Sequence, residues 1–204
     1  MNSQKDLVNY LINTNALHSP DIIKAFIAID RYDFVKNQNS YATYEDFPLS
    51  IGNSQTISQP TTVAMMLEML SPKQGNSILD IGSGSGWTTA LLAHIVGQEG
   101  CVTGLERLDE LVEFGSNNLN KYHFNNAKII KATDRLGIQG KKFDRILVSA
   151  SAEDFPTKLT DQLKPGGKLV IPVKNSIFEI TKTKDDELKI IEHYGFVFVP
   201  LIYK

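Results

Sequence analysis

The apolar positions along this chain follow a helical period first, then lose it, then break into short runs. Ile22, Phe26 and Ile29 recur at helical spacing, with Ile23 and Ile27 beside them. Ser19-Pro20-Asp21 precedes them as a start signal: serine can cap, proline suits the first turn, and aspartate complements the positive end of the dipole. From Arg31 to Pro60 the periodicity is lost, and Tyr41, Tyr44, Phe47, Pro48, Gly52 and Pro60 punctuate a long loop. A loop rich in Ser, Thr, Gln and aromatic residues reads either as a binding segment or as a plain connection. After Pro60, the positions Val63, Met66, Leu67 and Leu70 mark an amphipathic helix, whose methionines read as core.

From Ser77 onward, short apolar runs alternate with helical patterns. Strands are expected at Ser77–Ile81, Cys101–Glu106, Ala127–Lys131, Phe143–Ala150, Lys168–Val173 and Phe178–Thr181, with a final run around Tyr194 to Ile202. Helices are expected at Trp87–Val96, Leu108–Tyr122 and Phe155–Leu163, the last stopped by Lys164-Pro-Gly-Gly167. Asp185-Asp-Glu187 is placed to turn the last hairpin. The alternation predicts an α/β fold: a doubly wound, mostly parallel, Rossmann-like sheet with flanking helices. Antiparallel strands close it at the C-terminal end, and a helical and loop extension precedes it. One domain is expected over 1–204, with 1–60 as the extension and 61–204 as the core.

Composition narrows the chemistry more than the fold. In 204 residues, 21 Lys and Arg face 23 Asp and Glu, a net charge of -2 that offers no basic field for nucleic acid or an anionic membrane. Cys101 is the single cysteine and the four histidines are scattered, so neither a disulfide framework nor a metal site is expected. Cys101 falls in an apolar run and reads as packing. The N-terminal residues lack a secretory pattern, and no run reaches the ~20 apolar residues of a membrane helix. A soluble, cytoplasmic chain is expected.

The strongest local signal is Asp80-Ile-Gly82-Ser83-Gly84-Ser-Gly86, directly after one strand and opening a helix. Glycines there let the backbone turn tightly and approach a ligand. The dinucleotide fingerprint fails because the sixth position from Gly82 is Trp87, and the phosphate loop fails because no Gly-Lys-Ser/Thr follows. The remaining pattern, D-x-G-x-G-x-G, resembles the first motif of S-adenosylmethionine-dependent methyltransferases. Glu106 ends the next strand, where a carboxylate can accept both ribose hydroxyls. The alternative is an ordinary strand-end turn with two solvated carboxylates. Trp87 itself reads as a core residue at the helix start or as an aromatic floor.

The Asn/Asp-Pro-Pro-aromatic motif of base-amine methyltransferases is absent, since Ser149-Ala150-Ser151-Ala152 stands at that position. The segment Gly52-Asn-Ser54-Gln55-Thr56-Ile57-Ser58-Gln59-Pro60 is more specific. It resembles the Gly-x-Gly-Gln-Thr-Ile-Ser-x-Pro signature of the protein-L-isoaspartate O-methyltransferase family. Further matches follow in order: Arg31-Tyr-Asp-Phe-Val35, Phe143-Asp144-Arg-Ile, Gln162-Leu-Lys-Pro-Gly-Gly167, Ile171-Pro-Val173 and Phe198-Val-Pro-Leu201.

The resemblance implies methyl transfer from S-adenosylmethionine to the free α-carboxylate of isoaspartyl residues in proteins and peptides, by a monomer. It implies Ser58 as the catalytic residue, with Gln55, Thr56, Ile57, Ser58, Asp80, Gly82, Ser83, Gly84, Glu106, Thr133 and Asp134 around the cofactor. Ser58 also fits a plain capping role for the helix after Pro60, and Asp46 is placed to orient the loop. Two departures stand out: Ser54 replaces a family glycine, and Ala132-Thr133-Asp134 replaces Gly-Asp-Gly, displacing the acid expected at the adenine by one residue. They keep two other readings open, a methyltransferase for a different carboxylate or small molecule, and a non-catalytic cofactor- or peptide-binding module.

Overall fold

The computed structural model describes residues 1–36, 40–155 and 157–203. Its centre is a seven-stranded sheet in the order β5-β4-β3-β6-β7-β8-β9, built from Ala127–Lys131, Cys101–Glu106, Ser77–Ile81, Phe143–Val148, Leu163–Val173, Ser176–Lys182 and Leu188–Tyr194. The first five strands run parallel and the last two join antiparallel, as the alternation predicts. Order reverses at β3: β4 lies on one side and β6 on the other. That reversal opens a crevice at the carboxyl ends of the strands.

The period-2 pattern sorts the side chains between two cores. Ile78, Leu147 and Val170 point to one face, and Leu79, Ile146 and Leu169 to the other. The first face is covered by α1 (Gln4–Asn13), α2 (Pro20–Ala28), α4 (Pro60–Leu70), α5 (Trp87–Val96) and α6 (Asp109–Asn120). The second is covered by the short α7 (Thr157–Thr160) and by Leu136 and its neighbours. No helix among the described residues is long and apolar enough to cross a membrane.

Several local expectations are corrected. Ser19 precedes α2 but makes no capping bond; Glu68 accepts from its hydroxyl at 2.5 Å and from the His18 and Ser19 amides at 2.8 Å each. The helix expected over Phe155–Leu163 shortens to α7, and Pro156 lies outside the described residues. Lys164-Pro-Gly-Gly167 belongs to β7, where register jumps from Phe143↔Leu163 to Arg145↔Lys168, so the glycines form a bulge rather than a stop. The last strand is β9, ending at Tyr194, and the following segment runs irregularly back toward the crevice. Cys101 is exposed at the start of β4 rather than packed inside it.

The long loop between Arg31 and Pro60 also carries structure. It holds a 3-10 turn (Arg31–Phe34), a short helix α3 (Ser40–Thr43) and a hairpin of β1 (Leu49–Gly52) and β2 (Gln55–Ile57); residues 37–39 lie outside the described residues. Asn53 and Ser54 turn this hairpin with φ of 53° and 56°. Two successive left-handed residues make the turn whose twist suits adjoining strands. Ser54 therefore takes up a backbone conformation that glycine adopts at lower cost. The departure from the family pattern is accommodated without abolishing the hairpin.

Candidate functional site

A cleft of about 890 Å³, counting its open mouth, lies at the carboxyl ends of β3, β4 and β6. The β1–β2 hairpin forms one wall and the glycine loop the other, and Val199 to Ile202 of the C-terminal segment also line it. Two backbone bonds bring that segment back: Ser151 donates to the Val199 carbonyl and Leu201 to the Ser151 carbonyl, each at 2.8 Å.

The glycine wall is shaped by the backbone. Gly82, Gly84 and Gly86 have φ of 79°, 51° and 85°, all in the left-handed region that disfavours side chains. A Cβ on Gly86 would stand 2.8 Å from the Gly115 carbonyl of α6, so glycine is also required by close packing. Glu106 is 8% exposed and fastens the loop. One carboxylate oxygen accepts from the Gly84 amide at 3.0 Å, and the other from the Arg107 and Leu108 amides at 2.7 and 2.9 Å. Its position at the end of β4 faces the cleft. Asp80 does not. It is fully buried behind the loop, where one oxygen accepts from the Thr89 hydroxyl at 2.6 Å and the other has no partner. Burial pushes its carboxyl up to about 7, against the pull of the Thr89 hydrogen bond, with the Glu106 charge adding a smaller push upward.

The hairpin wall depends on side chains from distant segments. Gln55, Thr56, Ile57 and Ser58 all line the cleft. Ile51, at the register shift in β1, is buried, and its Cδ1 lies 3.3 Å from where a Cβ on Gly84 would stand, so the two walls meet there. Asn53 ties the hairpin tip to Glu110 of α6 at 2.8 Å. Ser58 is not the residue that caps α4: the cap position is Gln59, which makes no side-chain cap bond. Asp46 does that work from a distance, accepting from the Thr61 amide and the Thr61 hydroxyl at 2.8 Å each and from the Gln59 side chain at 3.1 Å. The Ser58 carbonyl accepts from Arg31 at 2.7 Å. Arg31 is wholly buried, and its guanidinium lies 4.7 Å from the centroid of the Trp87 ring. Trp87 combines both expected roles: it starts α5, packs edge-on against Phe26 at 5.6 Å, and lines the cleft.

Eight of the eleven residues anticipated from the sequence therefore line one cleft: Gln55, Thr56, Ile57, Ser58, Gly82, Ser83, Gly84 and Glu106. Asp80, Thr133 and Asp134 do not. After β5 the Thr133 hydroxyl accepts from the Arg135 amide at 3.2 Å, and Thr133 and Asp134 are exposed. Ala132 lines the cleft in their place. Sequence reasoning missed Ser149 and Ala150 at the end of β6 as lining residues, although the fold class itself directs attention to strand ends. It also missed the cleft-lining C-terminal segment.

The cleft suits a nucleoside-sulfonium ligand. The Glu106 carboxylate sits at the end of β4 in the lining, and the buried Ser83 hydroxyl beside it has no partner among the described residues. Among the described residues, no three His, Cys, Asp or Glu are grouped closely enough to hold a metal.

Comparison with known proteins agrees with this geometry. Residues 2–204 match the family model described as Protein-L-isoaspartate(D-aspartate) O-methyltransferase (PCMT). A Methanopyrus kandleri protein named protein-L-isoaspartate O-methyltransferase is 38% identical, covering 98% of this chain and 91% of its own length. One of the same name from Thermococcus onnurineus is 41% identical, covering 96% and 91%. Among solved structures, a Plasmodium falciparum protein assigned as a protein-L-isoaspartate O-methyltransferase, in complex with S-adenosyl-L-homocysteine, is 28% identical. It superposes with a TM-score of 0.88, and the match covers 100% of both chains.

Proposed function

The chain belongs to the protein-L-isoaspartate(D-aspartate) O-methyltransferase family, and on that premise we propose that it methylates the free α-carboxylate of L-isoaspartyl residues in proteins and peptides. S-adenosylmethionine, when bound, supplies an electrophilic methyl group on a sulfonium. A carboxylate oxygen of the acceptor forms the new O–CH₃ bond while the C–S bond breaks, its electron pair passing to sulfur. An anion and a cation thus become two neutral groups. The acceptor is an α-carboxylate with a reference pKa of about 3.5 and is ionised at neutral pH, so no general base is needed. The protein's task is alignment and exclusion of water. The methyl ester then closes by attack of the next backbone nitrogen, releasing methanol and leaving a succinimide whose hydrolysis returns some normal aspartate.

The observation that carries this reading is the facing of Gln55–Ser58 and the glycine loop across one cleft. Glu106 is assigned to the ribose, Gly82, Ser83 and Gly84 to the cofactor's amino-acid end, and the backbone around Ala132 to the adenine. The Ser58 hydroxyl is assigned to the acceptor carboxylate, and the β2 backbone to the extended peptide, where the course of the chain distinguishes isoaspartate from aspartate. The same reading takes the enzyme as a cytoplasmic monomer. A lone cysteine fits a reducing compartment, and sedimentation of the purified chain tests the monomer.

Transfer of labelled methyl from S-adenosylmethionine to two peptides differing only in isoaspartate or aspartate tests the activity. Labelling of the isoaspartyl peptide alone is expected. Binding of S-adenosylhomocysteine with transfer to neither peptide would instead favour a binding module.

A further inference from the structure

Arg31 is the one charged side chain among the described residues with no measurable exposure besides Asp80, and unlike Asp80 it lies next to the acceptor side of the cleft. Its Nε donates to the Thr43 carbonyl at 2.9 Å, Nη1 to the Ser58 carbonyl at 2.7 Å and Nη2 to the Phe47 carbonyl at 3.3 Å. These carbonyls come from three separate segments: the end of α3, the approach to β1, and the link between β2 and α4. Arg31 enters none of the ion pairs found among the described residues. Burial draws its pKa down to about 9, with Asp46 pulling the other way, so it remains protonated at neutral pH.

A buried cation in no direct ion pair, with Asp46 acting on it only at a distance, is a costly way to satisfy three carbonyls. Its geometry explains why it is kept. On one side of Gln59-Pro60 the guanidinium grips the Ser58 carbonyl, and on the other Asp46 grips the Thr61 amide. The segment bearing the Ser58 hydroxyl is thus pinned at both ends. The guanidinium also lies over the ring of Trp87, the first residue of the helix that the glycine loop opens. Only a planar fork can span three divergent carbonyls while stacking on an indole; a lysine ammonium cannot.

We infer that Arg31 is a positioning residue for methyl transfer: it ties the Ser58 segment to the start of α5 and thereby sets the acceptor carboxylate against the donor methyl. This inference rests on the activity proposed above. Small displacements of reacting groups cost on the order of a hundredfold in rate, so the conservative variant is informative.

The test compares wild type, Arg31→Lys, Ser58→Ala and the double variant. It reads kcat and KM for an isoaspartyl peptide per site that binds S-adenosylhomocysteine, with that binding measured by calorimetry. Arg31→Lys is expected to lower peptide kcat/KM by roughly a hundredfold while leaving homocysteine-nucleoside affinity within about twofold; in the Ser58→Ala background the same change should cost less than about threefold. Unchanged kcat and KM per binding site would leave Arg31 a purely structural residue and overturn the inference, as would full additivity with Ser58→Ala. If Arg31→Lys does not fold even with S-adenosylhomocysteine present, Trp87→Phe takes its place. Its weakened stack should lower peptide kcat/KM per binding site about fivefold, and no change would overturn the inference. Absence of transfer by the wild type, with S-adenosylhomocysteine bound, would defeat the activity itself and is separable from failure of the Arg31 claim.

Discussion

The two walls of the cleft are held by different physics. The glycine wall is local: Asp80 to Gly86 is one short segment whose shape follows from three left-handed backbone positions, and a single carboxylate at the end of the neighbouring strand fastens it. The hairpin wall is assembled from afar. Ser58 depends on Arg31, the helix after it on Asp46, and the hairpin tip on Glu110. Damage to the first wall should act through backbone strain and cofactor affinity, and damage to the second through geometry of the acceptor.

The expected differences can be ranked. The largest is pH-linked and belongs to the glycine wall. Because burial raises the Asp80 pKa above its ordinary 3.8 to about 7, the folded state holds that proton more tightly than the unfolded chain. Its contribution is complete below about pH 4 and is lost as pH rises toward 7. Asp80→Asn should therefore become progressively more stable relative to wild type across that window, by at most about 1.4 kcal/mol per pH unit. Denaturant titrations at several pH values check this, and a flat difference would contradict it. Gly86→Val comes next, with a strained φ and a clash against Gly115 costing about 3 kcal/mol in thermal or chemical unfolding. Glu106→Gln removes a charged acceptor from the Gly84, Arg107 and Leu108 amides. Calorimetry should show S-adenosylhomocysteine binding weakened by about 1.5–3 kcal/mol, roughly tenfold to a hundredfold in Kd.

Smaller effects are expected on the hairpin wall. Asp46→Ala strips the N-terminus of α4 of its acceptor and should cost about 1 kcal/mol of stability. Peptide KM should rise with it while cofactor affinity holds, and an equal loss of both would erase the distinction between the walls. Ser54→Gly should stabilise the chain by about 0.5 kcal/mol, since glycine relieves the left-handed strain and gives back part of the gain in unfolded-state entropy. Destabilisation by this change would show that the serine makes a contact outweighing its strain.

The same contrast explains how much could be read from the sequence. β3, α5, β4 and β5 match their expected bounds because apolar period, flanking glycines and strand-end acids are all local signals. The glycine loop, Glu106 and the Gln55–Ser58 segment, each legible as a local motif, come to line one cleft. The β1–β2 hairpin did not announce itself, because its turn is Asn53-Ser54 without glycine at either left-handed position. Asp46 as a remote cap and Arg31 as a buried clamp depend on chain segments separated by 15 and 27 residues, and no periodicity encodes such contacts. Thr133 and Asp134 are a different case: both are exposed after β5 and outside the cleft lining, next to a one-residue displacement that a motif comparison registers only as a near match. Lys164-Pro-Gly-Gly167 is the reverse case: its stop signal is real, but the sheet absorbs the glycines as a bulge.

The central claim is that the acceptor wall and the cofactor wall are separable. Ser58→Ala tests it most directly, measured for both labelled methyl transfer to an isoaspartyl peptide and calorimetric binding of S-adenosylhomocysteine on one preparation. The account predicts a loss of turnover on the order of a hundredfold, with cofactor affinity unchanged within about twofold. Turnover retained at the wild-type level, or lost only in step with cofactor affinity, would contradict it.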